Sequence, residues 1–166
     1  MNKQLYNFLS GNAPNYNHLC INDIWNFSNE ELEQNHKYIQ WLFPLKERSK
    51  YNFFAPKIKH IEEYNNDLIK NNILKSFDRM LIFYGLEYKN DKIIKNKEFE
   101  LRKCVWVSNN NHNYFRITRI IKCLELFGFD KQATDFVNCL YEIYSDNLEL
   151  ISYQTFVYWK NSLKYS

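Results

Sequence analysis

Glycine, proline and alanine are scarce in this sequence of 166 residues, with three of each. A chain this poor in glycine and proline is neither collagen-like nor a low-complexity linker. Long apolar runs are also lacking, since no stretch approaches the roughly 18 apolar residues that a membrane-spanning helix needs. The segment Met1–Ser10 has too short an apolar run for a signal peptide. We therefore expect a soluble, intracellular (cytoplasmic) protein without a transmembrane segment.

Cysteine is sparse, and its spacing excludes the common zinc sites. The four cysteines are Cys20, Cys104, Cys123 and Cys139, so no pair has the CxxC spacing and no histidine lies at zinc-finger spacing from them. Three of the four, Cys104 being the exception, stand among apolar neighbours in stretches with a helical pattern. We predict buried free thiols, no metal site and no cofactor.

A strong excess of one charge is absent as well. The chain has 22 basic and 19 acidic residues, a net charge of +3 and a pI near 8.5. The stretch richest in basic residues, Lys89–Lys103, also contains three acidic residues. Because nucleic-acid-binding domains concentrate their basic residues on one face, this composition argues against nucleic acid as the partner.

Aromatic residues and asparagine are abundant instead. Aromatics make up 18% of the chain, which excludes wholesale disorder. The 23 asparagines, together with few alanines and glycines, indicate an AT-rich genome. We assign no function to this excess except at Asn35 and Asn113, which fall within the motifs described below.

The apolar residues recur with helical periodicity, so we predict an all-α fold: a single compact bundle of about seven or eight helices over residues 1–166. Ser28 and Glu31 form a capping box that opens a helix to about Phe43, ended by Pro44. The hydrophilic connection 86–97 is predicted to be a mobile loop. The other predicted helices are 3–9, 18–26, one or two helices over 58–84, 98–107, 113–127, 130–144 and 152–163.

Two clusters are candidates for a binding site. In the first, His36 and Gln40 lie one helical turn apart, beside Tyr38 and Trp41. These four residues offer hydrogen bonds and stacking area to a ligand. The alternative is that His36 is a hydrogen-bonded core residue on one face with Leu32, and that the aromatics are ordinary core.

In the second cluster, His112, Arg116 and Arg119 follow at i, i+4 and i+7, on one stripe at the start of the predicted helix 113–127. With Asn113 and the free N–H groups of the helix N-terminus, this stripe suits a carboxylate or a phosphate. The alternative is that the arginines pair with internal carboxylates and tie helices together. The carboxylates considered are Asp23, Glu31 and Asp78.

Two segments carry a family resemblance. Leu32–Leu45, LEQNHKYIQWLFPL, resembles the "LE.NH.YIQWLFPL" signature of the opioid growth factor receptor conserved region, and His112–Ile121 resembles that family's "HN.LRITRIL". Asn52–Pro56 and Arg79–Gly85 resemble the segments between them, and Leu5–Leu9 stands where the family has its entry segment. On the order and spacing of these segments over residues 5–144, the chain is identified as a member of this family.

The resemblance implies an all-helical domain related to the animal receptor for opioid growth factor, methionine-enkephalin. That receptor is unrelated to the seven-helix opioid receptors. It is a growth-inhibitory protein of the nucleus and nuclear envelope, and the family is also associated with membranes. The resemblance supplies no catalytic or binding residue, so the candidate residues rest on their chemistry.

We expect a non-catalytic domain that binds an unknown peptide or small anionic ligand. In this hypothesis the ligand lies in a groove between the helices 32–43 and 113–127, where Arg116 and Arg119 hold a carboxylate. One alternative is nucleic-acid binding through the helix 113–127. Another is an enzyme that uses His36 or His112 as a base, although the chain has no Gly-rich phosphate loop, HExxH or GxSxG motif. A host-mimicking effector of a pathogen or symbiont is a further alternative.

Overall fold

The computed structural model describes residues 1–49 and 52–165. The chain divides into two compact units, Met1–Arg79 and Met80–Ser166. The described residues are mostly helical, which confirms the helical class, and they contain nine α-helices and one two-stranded sheet. None of the helices in this described part is long and apolar enough to cross a membrane.

The first unit contains short helices joined by turns. Apolar residues at i, i+3 and i+4 bury one face of the first helix, at Leu5, Phe8 and Leu9, and Asn2 caps it by accepting a hydrogen bond from the Leu5 N–H at 3.1 Å. The elements are α1 (Lys3–Leu9), α2 (Ile21–Trp25), α3 (Asn29–Gln34), α4 (Ile39–Leu42), a 3-10 turn (Ile61–Tyr64) and α5 (Asp67–Tyr84), which continues into the second unit.

The prediction of one continuous helix from Ser28 to Phe43 is wrong. Its capping box is present: Ser28 Oγ accepts from the Glu31 N–H at 3.1 Å, and Glu31 Oε2 accepts from the Ser28 N–H at 2.7 Å. The helix then stops at Asn35, which has an extended backbone (φ −91°, ψ 117°). The Asn35 side-chain oxygen accepts from the Lys37 N–H at 2.9 Å, so a local turn replaces the next helical turn.

Hydrogen bonds tie α5 to the end of α2. Trp25 Nε1 donates to Ser76 Oγ at 2.9 Å, while Arg79 donates to the carbonyl oxygens of Trp25 at 3.2 Å and of Phe27 at 2.7 Å. Carbonyls at a helix C-terminus lack intrahelical donors. Arg79 therefore acts as a long-range cap that fixes the short helix α2 against the longest helix of the chain.

The second unit begins with a hairpin where a mobile loop was predicted, so that prediction is wrong. Strands β1 (Leu86–Lys89) and β2 (Lys92–Lys95) pair antiparallel. The two residues between them, Asn90 and Asp91, have φ of 50° and 60°. Two consecutive left-handed residues make a type I′ turn, whose twist matches that of paired strands, and Asn and Asp tolerate this conformation best among residues other than glycine.

A polar cluster anchors this hairpin to the helix Asp130–Ser145, which is α8. Lys131 Nζ donates to Asp135 Oδ2 at 2.8 Å, to Tyr88 Oη at 3.0 Å and to the carbonyl oxygen of Asp91 at 3.0 Å, while the Tyr88 hydroxyl donates to Asp135. Burial acts to raise the pKa of the Asp135 carboxyl, but the hydrogen bonds from Lys131 and Tyr88 outweigh burial and hold that pKa below its usual value.

Four helices complete the second unit. Buried indoles fix two of them: Trp106 Nε1 donates to the carbonyl oxygen of Tyr84 at 3.1 Å, and Trp159 Nε1 donates to that of Tyr114 at 3.3 Å. The elements are α6 (Phe99–Trp106), α7 (Asn113–Leu126), α8 (Asp130–Ser145), α9 (Tyr153–Asn161) and a 3-10 turn (Ser162–Lys164).

The prediction of free thiols is confirmed, because all four cysteines are unpaired with one another. Cys123 and Cys139 are buried as predicted, whereas Cys20 is only half-buried and Cys104 is exposed. Burial raises the pKa of the Cys139 thiol to about 12 and raises that of Cys123 further still.

Candidate functional site

The structure divides the first cluster between the surface and the core. His36 lies in the link between α3 and α4 and is exposed, so its predicted place on an apolar helix face is wrong. The physical reason is the turn at Asn35, which shifts the chain out of the helical register that the prediction assumed. Tyr38, Gln40 and Trp41 are buried at the start of α4 and within it.

Trp41 connects the core to the surface. Its ring contacts Phe8, which is fully buried, and Tyr16, which is 59% exposed, each in an edge-to-face arrangement with 5.2 Å between ring centroids. Such arrangements place the positive edge of one ring against the negative face of another. Trp41 is therefore both a core residue and the inner wall of a surface groove.

This groove, which we call the Trp41 groove, has a volume of about 480 Å³. Aromatic rings form its walls, and one ammonium group and two amide side chains lie at its border. Its lining residues are Tyr16, Asn17, Lys37, Trp41, Asn52 and Phe54. Among the candidates from the sequence only Trp41 belongs to it. Tyr16 and Phe54 were missed because nothing in the periodicity of a loop tells which of its aromatics will be exposed.

Three turns of the same kind hold the rim of the Trp41 groove. In each turn an asparagine side-chain oxygen accepts the backbone N–H two residues later, an arrangement that fixes a loop without helix or strand. The donors are the N–H groups of three lining residues, Asn17, Lys37 and Phe54, at 2.8, 2.9 and 3.2 Å from the oxygens of Asn15, Asn35 and Asn52. The rim is thus positioned by local hydrogen bonds.

A second groove of about 390 Å³ adjoins the first, and we call it the basic groove. The two grooves share the side chains of Tyr16 and Phe54, so they are neighbours on one surface. Arg48, Lys57 and Lys59 are among the residues that line the basic groove. The guanidinium carbon of Arg48 lies 5.6 Å from the ring centroid of Phe53, a cation–π contact at the groove wall.

The second cluster lies at the start of α7 and is mostly buried. Asn113 is fully buried and Arg116 is 4% exposed, whereas Arg119 is half-buried and His112 is exposed. Arg116 Nη1 donates to Asn113 Oδ1 at 3.2 Å, and the Asn111 side-chain oxygen accepts from the Asn113 N–H at 2.9 Å. Arg116 thus belongs to a buried network, and the three residues of the predicted stripe do not share one exposed surface.

The burial of α7 bears on the nucleic-acid hypothesis. Nine of its fourteen residues are buried, including Tyr114, Arg116 and Asn113. A recognition helix needs its polar side chains free to reach base edges in a groove. This helix offers few such side chains, so the geometry does not favour that function.

Within residues 1–49 and 52–165, no group of three or more His, Cys, Asp or Glu side chains is arranged to hold a metal ion.

Comparison of the sequence with known proteins assigns the chain to a family. Residues 2–165 match the family described as the opioid growth factor receptor (OGFr) conserved region. The chain belongs to this family. An opioid growth factor receptor-like protein 1 from Xenopus tropicalis is 38% identical over 112 residues, which cover 64% of this chain and 21% of that protein.

Mammalian members of the OGFr family are similar over a larger share of the chain. The opioid growth factor receptor-like protein 1 of Rattus norvegicus is 33% identical over 149 residues, 81% of this chain and 30% of the relative. The opioid growth factor receptor of Mus musculus is 30% identical over 135 residues, 76% of this chain and 21% of the relative. The chain therefore spans less than a third of the length of these relatives. No solved structure matches it significantly.

Two of the segments that resemble the OGFr family supply four of the six described lining residues of the Trp41 groove. The segment Leu32–Leu45 supplies Lys37 and Trp41, and the segment Asn52–Pro56 supplies two more lining residues. These segments lie apart in the sequence but meet at one surface. The first segment therefore combines core packing at Tyr38 and Gln40 with the formation of a concave surface beside them.

Proposed function

We propose that this chain is a non-catalytic OGFr-like domain that binds a peptide or a small anionic ligand in the Trp41 groove. The observation that carries the proposal is that two separate family segments converge on one open groove with aromatic walls. Its volume of about 480 Å³ lies within the range typical of ligand sites. Aromatic rings supply contact area at low cost in conformational entropy.

The polar groups of the Trp41 groove suit a peptide or an anion. Lys37 offers an ammonium group, while the side chains of Asn17 and Asn52 offer amide donors and acceptors of the kind that pair with a peptide backbone. Relatives of this chain are named opioid growth factor receptors. On that ground methionine-enkephalin, with its free C-terminal carboxylate, is the first peptide to test.

The non-catalytic part of the proposal is supported by the positions of the two candidate bases. His36 and His112 are both exposed, and neither lines the Trp41 groove. A general base acts within hydrogen-bond reach of its substrate, in a site that positions both. Probe peptides should therefore be recovered unchanged by mass spectrometry after prolonged incubation with the protein, and any turnover would contradict this part of the proposal.

The binding experiment is an NMR titration of the whole chain with methionine-enkephalin, its C-terminal amide, acetate and phosphate. We expect saturable shifts for residues of the Trp41 groove with at least one probe. Tyr16→Ala and Phe54→Ala should each weaken binding about 10-fold, because these exposed rings supply contact area without supporting the core. Tyr153→Ala, which removes an exposed ring on α9, is the matched control and should change nothing. If no probe shifts the groove residues, the proposal fails.

A further inference from the structure

The electrostatics of the two joined grooves indicate the class of ligand. The basic groove adjoins the Trp41 groove at Tyr16 and Phe54, so a ligand that lies across these two side chains reaches both grooves. Among the described residues, four basic side chains and no acidic side chain line the two grooves. The four basic residues are Lys37, Arg48, Lys57 and Lys59.

These four basic groups are available to a ligand. None of them takes part in an ion pair with any residue in the described part of the chain. The segment 1–79 as a whole contains ten basic and nine acidic residues, so the positive charge is local to the grooves. A cationic concave surface within a nearly neutral unit concentrates its field on a ligand that lies in the groove.

The aromatic side chains narrow the choice among anionic ligands. Phe54 is 86% exposed, and the side chains of Phe54 and Tyr16 line both grooves. A ligand that crosses from one groove to the other must cover both rings, which favours a chain with apolar and acidic groups in alternation. An extended peptide can present such an alternation, because it rises about 3.3 Å per residue and its successive side chains point to opposite sides.

Nucleic acid fits this surface less well. Proteins that bind nucleic acid through its backbone neutralise many phosphates, on the order of six to ten, and they carry a strongly basic surface. Among the described residues that line the two grooves the basic groups number four, and the segment 1–79 is nearly neutral in sequence. An anionic membrane is a flat surface, whereas these basic groups line concave grooves.

We infer that the ligand of this domain is an extended acidic peptide segment, whose aromatic or apolar side chain enters the Trp41 groove while its carboxylates lie in the basic groove. This inference rests on the proposed function and specifies its ligand. Arg48, Lys57 and Lys59 select for acidic side chains through charge-assisted hydrogen bonds. The aromatic walls supply contact area that does not depend on salt.

The test uses four N-acetylated, C-amidated pentapeptides and the whole chain. The first alternates acidic and aromatic residues (Glu-Tyr-Glu-Phe-Glu). The second and third replace each Glu by Gln or by Lys, and the fourth replaces both aromatics by Ala. Binding is measured by isothermal titration at low salt and at about 150 mM salt. We expect the first peptide to bind at least 10-fold more tightly than the other three, with a margin over the Gln peptide that shrinks as salt screens the charges.

Charge variants connect this preference to the basic groove. In the triple variant Arg48→Gln, Lys57→Gln, Lys59→Gln the preference for Glu over Gln should fall to within about 2-fold. The matched control is Lys160→Gln, Lys164→Gln, which removes two exposed lysines that line neither groove and should leave the preference unchanged. Far-ultraviolet circular dichroism of each variant confirms that it is folded.

The outcomes separate the two proposals. If the Glu and Gln peptides bind equally and Tyr16→Ala weakens both, the domain binds peptides but the acidic preference is refuted. If none of the four peptides binds, the acidic-peptide inference is overturned, and the proposed function fails as well only if methionine-enkephalin, its amide, acetate and phosphate also leave the residues of the Trp41 groove unshifted. If phosphatidylserine vesicles or a single-stranded oligonucleotide bind instead and the triple variant abolishes that binding, the basic groove is an anion site of another kind and the peptide inference is wrong.

Discussion

Gly85 provides the sharpest test of the packing between the end of α5 and α6. It follows the last residue of α5, at the end of the family segment Arg79–Gly85, and has φ of +77°. A Cβ at this position would lie 2.6 Å from the Cα of Phe99 and 3.1 Å from the Cβ of Arg102. The first contact involves backbone, so no side-chain rotation relieves it and α6 would have to move.

Gly128 is a matched control because it shares the backbone conformation without the contact. Its φ is also +77°, but a Cβ there would meet nothing within 4 Å. An L-residue with a Cβ in the left-handed region costs roughly 1–2 kcal/mol. Gly128→Ala should therefore lower the free energy of unfolding by about that amount. Gly85→Ala carries the same cost plus overpacking against backbone, worth about 1–3 kcal/mol, so its loss should reach about 2–5 kcal/mol.

Asparagine separates the two contributions further, because it tolerates the left-handed region better than alanine does. Gly128→Asn should be milder than Gly128→Ala. Gly85→Asn should stay as severe as Gly85→Ala, since the Cβ itself causes the clash.

The assay is urea denaturation followed by circular dichroism, with thermal melts in parallel. For a chain of this length about 1 kcal/mol corresponds to about 2–4 °C in Tm. Equal losses for Gly85→Ala and Gly128→Ala would refute the close approach of α6 to the end of α5.

Three further predictions concern the second unit. Arg116→Ala should lower the free energy of unfolding by about 3 kcal/mol in the same urea titrations, because it empties a buried hydrogen-bonded position. Ellman's reagent should modify Cys104 rapidly in the folded protein and Cys123 only after unfolding, because Cys104 is exposed and burial suppresses the thiolate of Cys123. At neutral pH, Asp135→Asn should lower the free energy of unfolding. The difference in this free energy between variant and wild type should vanish as the pH falls through the lowered pKa of the native carboxyl, because only the charged carboxylate stabilises the wild type. A deficit that is independent of pH would contradict the ion-pair role.

The starts of α3, α7 and α9 were predictable from a cap or from a long amphipathic stripe. The cap at Ser152, which accepts from the Thr155 N–H at 3.1 Å, opens α9 as the sequence indicates. The hairpin was missed because its strands are only four residues long, with too few alternations to show a period of two. Its real signal was the pair Asn90–Asp91, which tolerates the two left-handed conformations that a type I′ turn demands.

Only part of the Trp41 groove could be predicted from the sequence. One reason is that local side-chain hydrogen bonds compete with the hydrogen bonds of a helix. The helical wheel placed His36 in the core because it assumed that the helix continued past Asn35. An asparagine side chain that accepts a nearby N–H offers the backbone an alternative to the helix, and here that alternative is adopted. Trp41 was identified because it stands in a family signature. Tyr16 lay outside every motif, and only tertiary structure brings it to Trp41.

Composition alone assigned no role to most of the asparagines. The structure shows a role for three of them in the loops of the first unit. The AT-rich gene that the composition predicts would account for the frequency of asparagine, but not for the places where the side chains are used. Asn15, Asn35 and Asn52 lie in three separate loops of the first unit, and each accepts the N–H of the residue two positions later. The residues held in this way, Asn17, Lys37 and Phe54, all line the Trp41 groove. A surface made of loops needs some such local constraint, because loops otherwise carry a large conformational entropy that binding would have to remove. A residue type that is abundant in this chain thus fixes the rim of a surface on which two of the family segments converge.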